Sequence, residues 1–248
     1  STLQTYSAIN LGGTLFHEHG DASYGTIGFR DALAFSSNTF FYQVGMAVGP
    51  EQISKWGKKF GIGTTSTMGL DGASQGLIPT PADKEKLYKE PWYVGDTVST
   101  AIGQGMVQVT PLEMAVMISV VANGGKRIKP HLLASQDFQP NMQPESLGFD
   151  PAALKVIHDG LVAVVQEGTA QSLNDGSIPL TAGKTGTAEV QGEPDNSLYV
   201  GYGPVDKPQI AIAAVVENAG YGATAAVPIA HEIYQSFFGT SKSAPKAE

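Results

Sequence analysis

Cysteine is absent from the 248-residue sequence, and charged residues are scarce, at 15% of the total. The lack of cysteine excludes disulfide bonds, cysteine-ligated zinc sites and thiol nucleophiles. The 15 Lys and Arg residues are outnumbered by 23 Asp and Glu, which gives a formal net charge of −8, and the basic residues form no cluster. Because nucleic acids and anionic lipids are both bound by clustered basic residues, the sequence argues against either as a partner.

Long apolar runs are also missing. The longest uninterrupted run covers residues 210–216, whereas a membrane-spanning helix needs about 20 residues. The first four residues, Ser-Thr-Leu-Gln, have none of the features of a secretory signal peptide. The sequence starts as a segment from the middle of a protein would. We therefore expect any membrane anchor to lie outside these residues.

Helices are predicted from capping signals and from apolar residues that repeat every three or four positions. The signals are strongest after Thr110, which has capping-box spacing to Glu113, with Gly124 as the stop. A second helix starts at residues 150–151 and ends before Gly168. The other predicted helices are 28–48 with a break at 36–38, 50–60, and 224–238 ending at Gly239.

Three strands are predicted, at residues 181–190, 198–203 and 209–217. The last is a continuous apolar run, as expected for a strand covered on both faces. Helices around consecutive strands indicate the α+β class. The other residues are predicted to be irregular over 1–26 and a long ordered loop over 61–100. We expect one domain over 1–238 and a flexible tail over 239–248.

The segment Gly-Lys-Thr-Gly-Thr, residues 183–187, lies inside the first predicted strand. It does not fit a phosphate-binding loop, because Ile178 stands where the first glycine of that motif must be. A strand with Lys184, Thr185 and Gly186 could bind an extended peptide along its edge and present an ammonium and a hydroxyl to a carboxylate. The alternative is a strand with one exposed lysine and a glycine bulge, which the tripeptide alone favours.

Ser-Ser-Asn, residues 36–38, is the second segment that could carry chemistry. A serine hydroxyl can relay a proton, and an asparagine amide can hydrogen-bond the backbone of a substrate. Ser and Asn are also the preferred helix caps, and the triplet alone favours capping.

Together the two segments resemble motifs of the penicillin-recognising serine acyltransferases. The resemblance extends to Trp-Tyr-Val-Gly-Asp-Thr at 92–97, to Ile-Gly-Gln-Gly at 102–105 and to Val-Thr-Pro at 109–111. These stretches are similar to those of class B penicillin-binding proteins, nearest the PBP2 type. The resemblance covers about residues 5–238. It implies a β-lactamase/transpeptidase-like fold, with helices around an antiparallel sheet, and peptidoglycan D,D-transpeptidase activity by serine acyl transfer.

The resemblance implies catalytic roles for three residues. Lys184 would hold a positive charge near the hydroxyl of Ser36 and help proton transfer to the leaving group. Asn38 would bind the peptide group of the substrate. The same resemblance implies that neither a metal nor an organic cofactor is required.

Four further residues would bind the substrate, on the same resemblance. Thr185 and Thr187 would contact the carboxylate, and the Thr187 N–H would form half of an oxyanion hole. Gly186 would let the peptide backbone approach closely, and Gln104 would shape the wall of the cleft. The implied partners are peptidoglycan stem peptides, β-lactams and cell-wall elongation proteins. The implied location is the extracytoplasmic (periplasmic) face of the cell membrane, reached through an N-terminal anchor outside this chain.

The nucleophile motif of the family, Ser-x-x-Lys, has no match upstream of Ser36. The one serine that stands three residues before a lysine is Ser243, where Pro245 interrupts the motif. We therefore expect the nucleophile, its lysine base and the first strands of the sheet to lie outside this chain, and the chain alone to be inactive.

Two alternatives stay open. A penicillin-recognising hydrolase or β-lactam sensor has similar motifs, although the stretch 92–111 favours the synthase. A non-catalytic scaffold, or a fragment that needs a second chain, fits the missing serine directly.

His17, Glu18 and His19 are weak evidence for a metal site, because adjacent residues in a loop lack a third partner.

Overall fold

The computed structural model describes residues 1–65 and 68–241, and it arranges these residues as nine β-strands and eight α-helices. The strands are β1 (Thr2–Gln4), β2 (Ala8–Leu11), β3 (Thr14–His17), β4 (Thr26–Gly28), β5 (Lys126–Arg127), β6 (Glu145–Ser146), β7 (Ala182–Ala188), β8 (Asn196–Gly203) and β9 (Ile210–Val216). The helices are α1 (Phe29–Phe35), α2 (Asn38–Val48), α3 (Pro50–Phe60), α4 (Pro81–Tyr88), α5 (Val94–Ala101), α6 (Pro111–Ala122), α7 (Pro151–Gln166) and α8 (Ala226–Ser241). Among the described residues, none of the helices is long and apolar enough to span a membrane.

The main sheet has three antiparallel strands in the order β7-β8-β9. These are the three strands predicted from the sequence, with ends that differ by at most two residues. In the register, Lys184 lies opposite Val200 and Gly186 opposite Leu198. Since β8 is the middle strand, β7 pairs with it along one edge, and no strand of residues 1–65 and 68–241 pairs with the other edge, here called the free edge of β7.

Both faces of this sheet are covered by helices. On one face, Tyr199 and Ile212 pack with Val227 and Tyr234 of α8. On the other face, Val200 and Tyr202 pack with apolar residues of α6 and α7. Packing on both faces accounts for the apolar sequence of β9, in which Val215 is the one exposed residue.

The prediction of irregular structure for residues 1–26 is wrong. β1 pairs with β4, and β2 pairs with β3, both antiparallel. The β2–β3 connection is a two-residue turn at Gly12 and Gly13, whose φ angles are 61° and 86°. Positive φ at both positions matches the type I′ turn that favours tight hairpins. The polar composition hid these strands because they are short and largely exposed.

The prediction of a long loop for residues 61–100 is also wrong, because α4 and α5 lie there. α4 begins with a capping box between Thr80 and Asp83, with proline at the first helical position. This signature is the one that predicts α6 from Thr110, so the signal was present in the sequence. Four of the eight residues of α5 are β-branched and one is glycine, all weak helix formers. Its packing on α2 stabilises it instead.

The other helices lie close to their predicted positions. The predicted break at residues 36–38 is present between α1 and α2, and α3 has the predicted bounds. The last helix continues through Gly239, so residues 239–241 are helical and the prediction of a tail is wrong for them. Residues 242–248, including Ser243 of the Ser-x-x-Lys match, lie outside the described residues.

Candidate active site

Ser36 lies at the corner where α1 ends and α2 begins. Its backbone is in the left-handed region, with φ 58° and ψ 43°, and its N–H donates to carbonyls of the last turn of α1. The next residue, Ser37, caps α2 and accepts a hydrogen bond from the N–H of Phe40. Ser37 is therefore the buried helix cap, and the side chain of Ser36 is available for contacts with other segments.

Lys184 of β7 reaches this corner. Its Nζ donates to Ser36 Oγ at 2.8 Å and to the carbonyl of Thr185 at 2.9 Å. Burial lowers the pKa of Lys184 to about 8. At pH 7 the ammonium form still exceeds the amine about tenfold. The side chain thus keeps its charge at neutral pH, yet it loses its proton at a lower pH than an exposed lysine does. The alternative of an exposed strand lysine does not hold.

Close packing of α1 on α7 fixes the position of Ser36. A Cβ added to Gly160 of α7 would lie 2.4 Å from Leu33, and one added to Gly168 would lie 2.2 Å from the carbonyl of Ala34. Only glycine lets the two segments approach this closely. Since α7 also packs on β7, it holds the end of α1 next to the strand that carries Lys184.

Asn38 is the first residue of α2 and lines the same cleft. Its backbone N–H donates to Glu18 Oε1 at 2.6 Å. The Glu18 side chain, which is 3% exposed, also accepts hydrogen bonds from Ser37 Oγ and from the N–H of Thr39. From the sequence, Glu18 is only a weak candidate for a metal ligand. In the structure its carboxylate contacts the first turn of α2 instead.

The substrate-binding candidates lie along β7. The hydroxyls of Thr185 and Thr169 are 2.6 Å apart, and Thr187 Oγ1 accepts a hydrogen bond from the N–H of Gly222 at 3.4 Å. Gly186 faces Leu198, whose Cβ would be 3.3 Å from an added side-chain carbon. Thr169, which follows α7 and Gly168, was not among the predicted site residues, although it lies within residues 5–238, which the resemblance covers.

Gln104 closes the cleft at the far end of β7. Its carboxamide donates to the carbonyl of Thr187 at 2.8 Å and accepts from the N–H of Glu189 at 3.4 Å. The side chain therefore pairs with the free edge of β7 as a neighbouring strand would. Because N–H and C=O groups of alternate residues point to the same side of a strand, the backbone groups of Thr185 and Thr187 face the cleft.

The cleft between these elements has a volume of about 980 Å³. Its lining includes all seven predicted site residues: Ser36, Asn38, Gln104, Lys184, Thr185, Gly186 and Thr187. His19 and Tyr221 also line it, and their rings make an edge-to-face contact at 5.5 Å. The structure thus brings together these residues from five separate segments of the chain.

His17 does not combine with Glu18 and His19 as a metal site would require. The His17 ring contacts Asp21 at 3.0 Å, while the Glu18 carboxylate contacts α2. In the described parts of the chain, no three acidic, histidine or cysteine side chains are grouped so that they could hold a metal ion.

Comparison with known proteins gives the family. Residues 5–235 match the family described as the penicillin binding protein transpeptidase domain. The peptidoglycan D,D-transpeptidase MrdA of Acinetobacter baumannii is 30% identical over 253 residues, which cover 93% of this chain and 37% of that protein. The chain therefore spans little more than a third of the length of this relative.

Solved structures agree with this similarity. PBP2 of Pseudomonas aeruginosa superposes with a TM-score of 0.86 at 31% identity, over 96% of this chain and 53% of that one. PBP2 of Helicobacter pylori, solved in complex with MreC, gives 0.84 at 27% identity, over 96% and 46%. The predicted α+β, transpeptidase-like fold class is confirmed. This chain belongs to the penicillin-binding protein transpeptidase domain family, and the two solved structures compared with it are PBP2 proteins.

Proposed function

We propose that the protein containing this chain is a peptidoglycan D,D-transpeptidase that cross-links stem peptides by serine acyl transfer. The observation that carries the proposal is the 2.8 Å hydrogen bond from Lys184 to Ser36, made beside Asn38 at the free edge of β7. A lysine, a hydroxyl and a carboxamide that meet at a strand edge can bind a peptide and move a proton at its scissile bond.

The reaction has two steps. A serine hydroxyl attacks the carbonyl of the penultimate D-Ala, the C–N bond breaks, and the terminal D-Ala leaves as an amine that takes up a proton. An amine of a neighbouring stem peptide then attacks the ester, which forms the cross-link and restores the serine. Lys184 and Ser36 would deliver the proton to the leaving amine, since the ammonium already donates to the hydroxyl.

The free edge of β7 would bind the substrate as an additional strand. The backbone groups of Thr185 and Thr187 face the cleft, as the pairing with Gln104 requires. The Thr187 N–H would then point at the developing oxyanion, while Asn38 would bind the peptide group on the opposite wall. The Thr185 and Thr187 hydroxyls would contact the terminal carboxylate, which the positive charge of Lys184 attracts.

The serine nucleophile and its lysine base would lie upstream of residue 1 in the natural protein. The similarity of this chain to little more than a third of the MrdA of A. baumannii is consistent with such an upstream part. β-Lactams would acylate the same serine. By analogy with the H. pylori PBP2 that was solved with MreC, the protein would act with cell-wall elongation proteins, on the extracytoplasmic face of the membrane.

Labelling with a fluorescent penicillin tests the proposal. The natural protein with its upstream part should be labelled covalently, and residues 1–248 alone should not. Lys184→Ala in the longer protein should reduce the labelling rate by about 100-fold, whereas Lys207→Ala, at an exposed position between β8 and β9, should leave it unchanged.

Three outcomes would contradict the proposal in different ways. Stoichiometric labelling of residues 1–248 would place the nucleophile inside this chain. Rapid turnover of benzylpenicillin by the longer protein would favour a hydrolase. No labelling of the longer protein would favour a scaffold without acyl-transfer activity.

A further inference from the structure

Glu18 makes a set of contacts that the reaction scheme does not use. Its Oε1 accepts hydrogen bonds from the backbone N–H of Asn38 at 2.6 Å and of His19 at 3.1 Å. Its Oε2 accepts from Ser37 Oγ at 2.7 Å, and from the N–H and Oγ1 of Thr39, both at 3.0 Å. Four of the five donors belong to residues 37–39, the segment that carries Asn38.

These contacts hold α2 from its N-terminal end. The first N–H groups of a helix have no partner within the helix, and a carboxylate at this position also interacts favourably with the helix dipole. Glu18 comes from the segment after β3, 20 residues before Asn38. Its side chain is 3% exposed, so water does not compete effectively for these donors.

Glu18 also connects the Ser-x-Asn segment to the mouth of the cleft. The same oxygen that accepts from Asn38 accepts from His19. The His19 ring in turn contacts Tyr221, which precedes α8. One carboxylate thus fixes the orientation of the Ser-x-Asn segment relative to the loop that faces it across the cleft.

We propose that Glu18 is a positioning residue for acyl transfer, which holds the Ser36–Asn38 segment in the orientation that binds the substrate's peptide group. This inference rests on the proposed function. A carboxylate is needed because all of the donors point at it and the backbone N–H groups of Asn38 and Thr39 cannot turn away. The amide of a glutamine would present its own N–H to at least one of them.

Glu113 provides a matched control within the same chain. It is 2% exposed and lies in the first turn of α6, where it accepts hydrogen bonds from the N–H groups of Gly63, Gly76 and Thr110. It does not line the cleft. Glu113→Gln therefore disturbs a buried carboxylate of the same kind at a helix start, without touching the Ser-x-Asn segment.

The experiment compares Glu18→Gln, Glu113→Gln and the wild type in the natural protein with its upstream part. Acylation by a fluorescent penicillin is measured over a range of concentrations and is normalised to the folded fraction, which separates the binding constant from the maximal rate. We expect Glu18→Gln to lower the second-order acylation rate by roughly 10- to 100-fold. We expect Glu113→Gln to stay within about twofold of the wild type, because its contacts lie away from the cleft.

Amide hydrogen exchange in the same longer proteins gives a second readout. Glu18→Gln should speed exchange at Asn38 and Thr39, and Glu113→Gln should speed it at Gly63 and Gly76 instead. Unchanged acylation by folded Glu18→Gln, with a labelled wild type, would overturn the inference and leave the proposed function intact. Equal losses of acylation in the two variants would also overturn it, since the effect would then follow from changing any buried carboxylate at a helix start and not from the contacts of Glu18 with the Ser-x-Asn segment. An unlabelled wild type would refute the proposed function itself.

Discussion

The ammonium of Lys184 donates a hydrogen bond to the hydroxyl of Ser36 across 148 positions of sequence. The contact forms only because the C-terminal end of helix α1, which Ser36 follows, lies next to strand β7, which carries Lys184. Ser36 reaches it because α1 ends in a left-handed residue, and because two glycines of the α7 segment let α1 pack closely. The contact therefore reports directly on how the helices and the sheet are assembled.

The charge on Lys184 should cost stability. Its pKa in the folded protein is about 8, below the ordinary lysine value of about 10.4 in an unfolded chain. Between these pH values the unfolded chain binds more protons than the folded one, so the free energy of unfolding should rise with pH in this window. Lys184→Met removes the buried charge. It should therefore raise the free energy of unfolding at pH 7 by about 2 kcal/mol.

Urea denaturation at several pH values measures this effect. The advantage of Lys184→Met over the wild type should shrink as the pH rises from 8 to about 10.4. Lys207→Met, at an exposed site, should show no such dependence. A difference between Lys184→Met and the wild type that stays constant with pH would show that the Lys184 ammonium is not destabilised by burial.

Gln104 should hold the C-terminal end of β7 in place. Gln104→Leu keeps the size of the side chain but removes the hydrogen bonds to the Thr187 carbonyl and the Glu189 N–H. Amide exchange at Glu189 should become at least about tenfold faster, because its N–H loses its partner. Gln171→Leu, at an exposed position, is the control and should leave this amide unaffected. Equal exchange at Glu189 in both variants would refute a role for Gln104 at this edge.

The packing of α2 on α5 depends on Gly45. A Cβ at this position would lie 2.3 Å from the Cβ of Ala101. Gly45→Ala should therefore destabilise the protein by about 1–3 kcal/mol through overpacking, even though alanine is the better helix former by about 1 kcal/mol. Adding Ala101→Gly should recover part of the loss, because it removes the clashing carbon. The free energies of unfolding of the two single variants and the double variant test this, and strictly additive effects would contradict it.

The hydroxyl of Thr169 should orient that of Thr185, since the two oxygens are 2.6 Å apart. Thr169→Val removes the hydrogen bond and keeps the shape of the side chain. In the longer protein it should weaken the binding of a carboxylate-bearing β-lactam about fivefold, while the free energy of unfolding changes by less than about 1 kcal/mol. Thr169→Ser retains the hydroxyl and should behave as the wild type. Equal β-lactam affinity in the valine and serine variants would show that Thr185 needs no such partner.

Much of the fold is encoded locally. The start of α6 is predicted from Thr110 and Glu113, which are three residues apart, and β9 from a continuous apolar run. Where prediction failed, the reasons differ. α4 has the same capping signature, but the Gly- and Pro-rich stretch around it predicts a loop, while α5 has weak intrinsic helix propensity and is stabilised by packing. The strands before residue 28 are too short and exposed to show a clear hydrophobic pattern.

The family, the α+β class and the residues of the two motifs can be predicted from the sequence, because each signal lies within a few consecutive positions. The packing of the folded chain is needed to show which serine faces the cleft, since Ser37 caps α2 and Ser36 accepts the hydrogen bond from Lys184. It also decided that Glu18 contacts α2 instead of forming part of a metal site. Such contacts join residues far apart in sequence, and they arise from the packing of helices and strands, which no local pattern specifies.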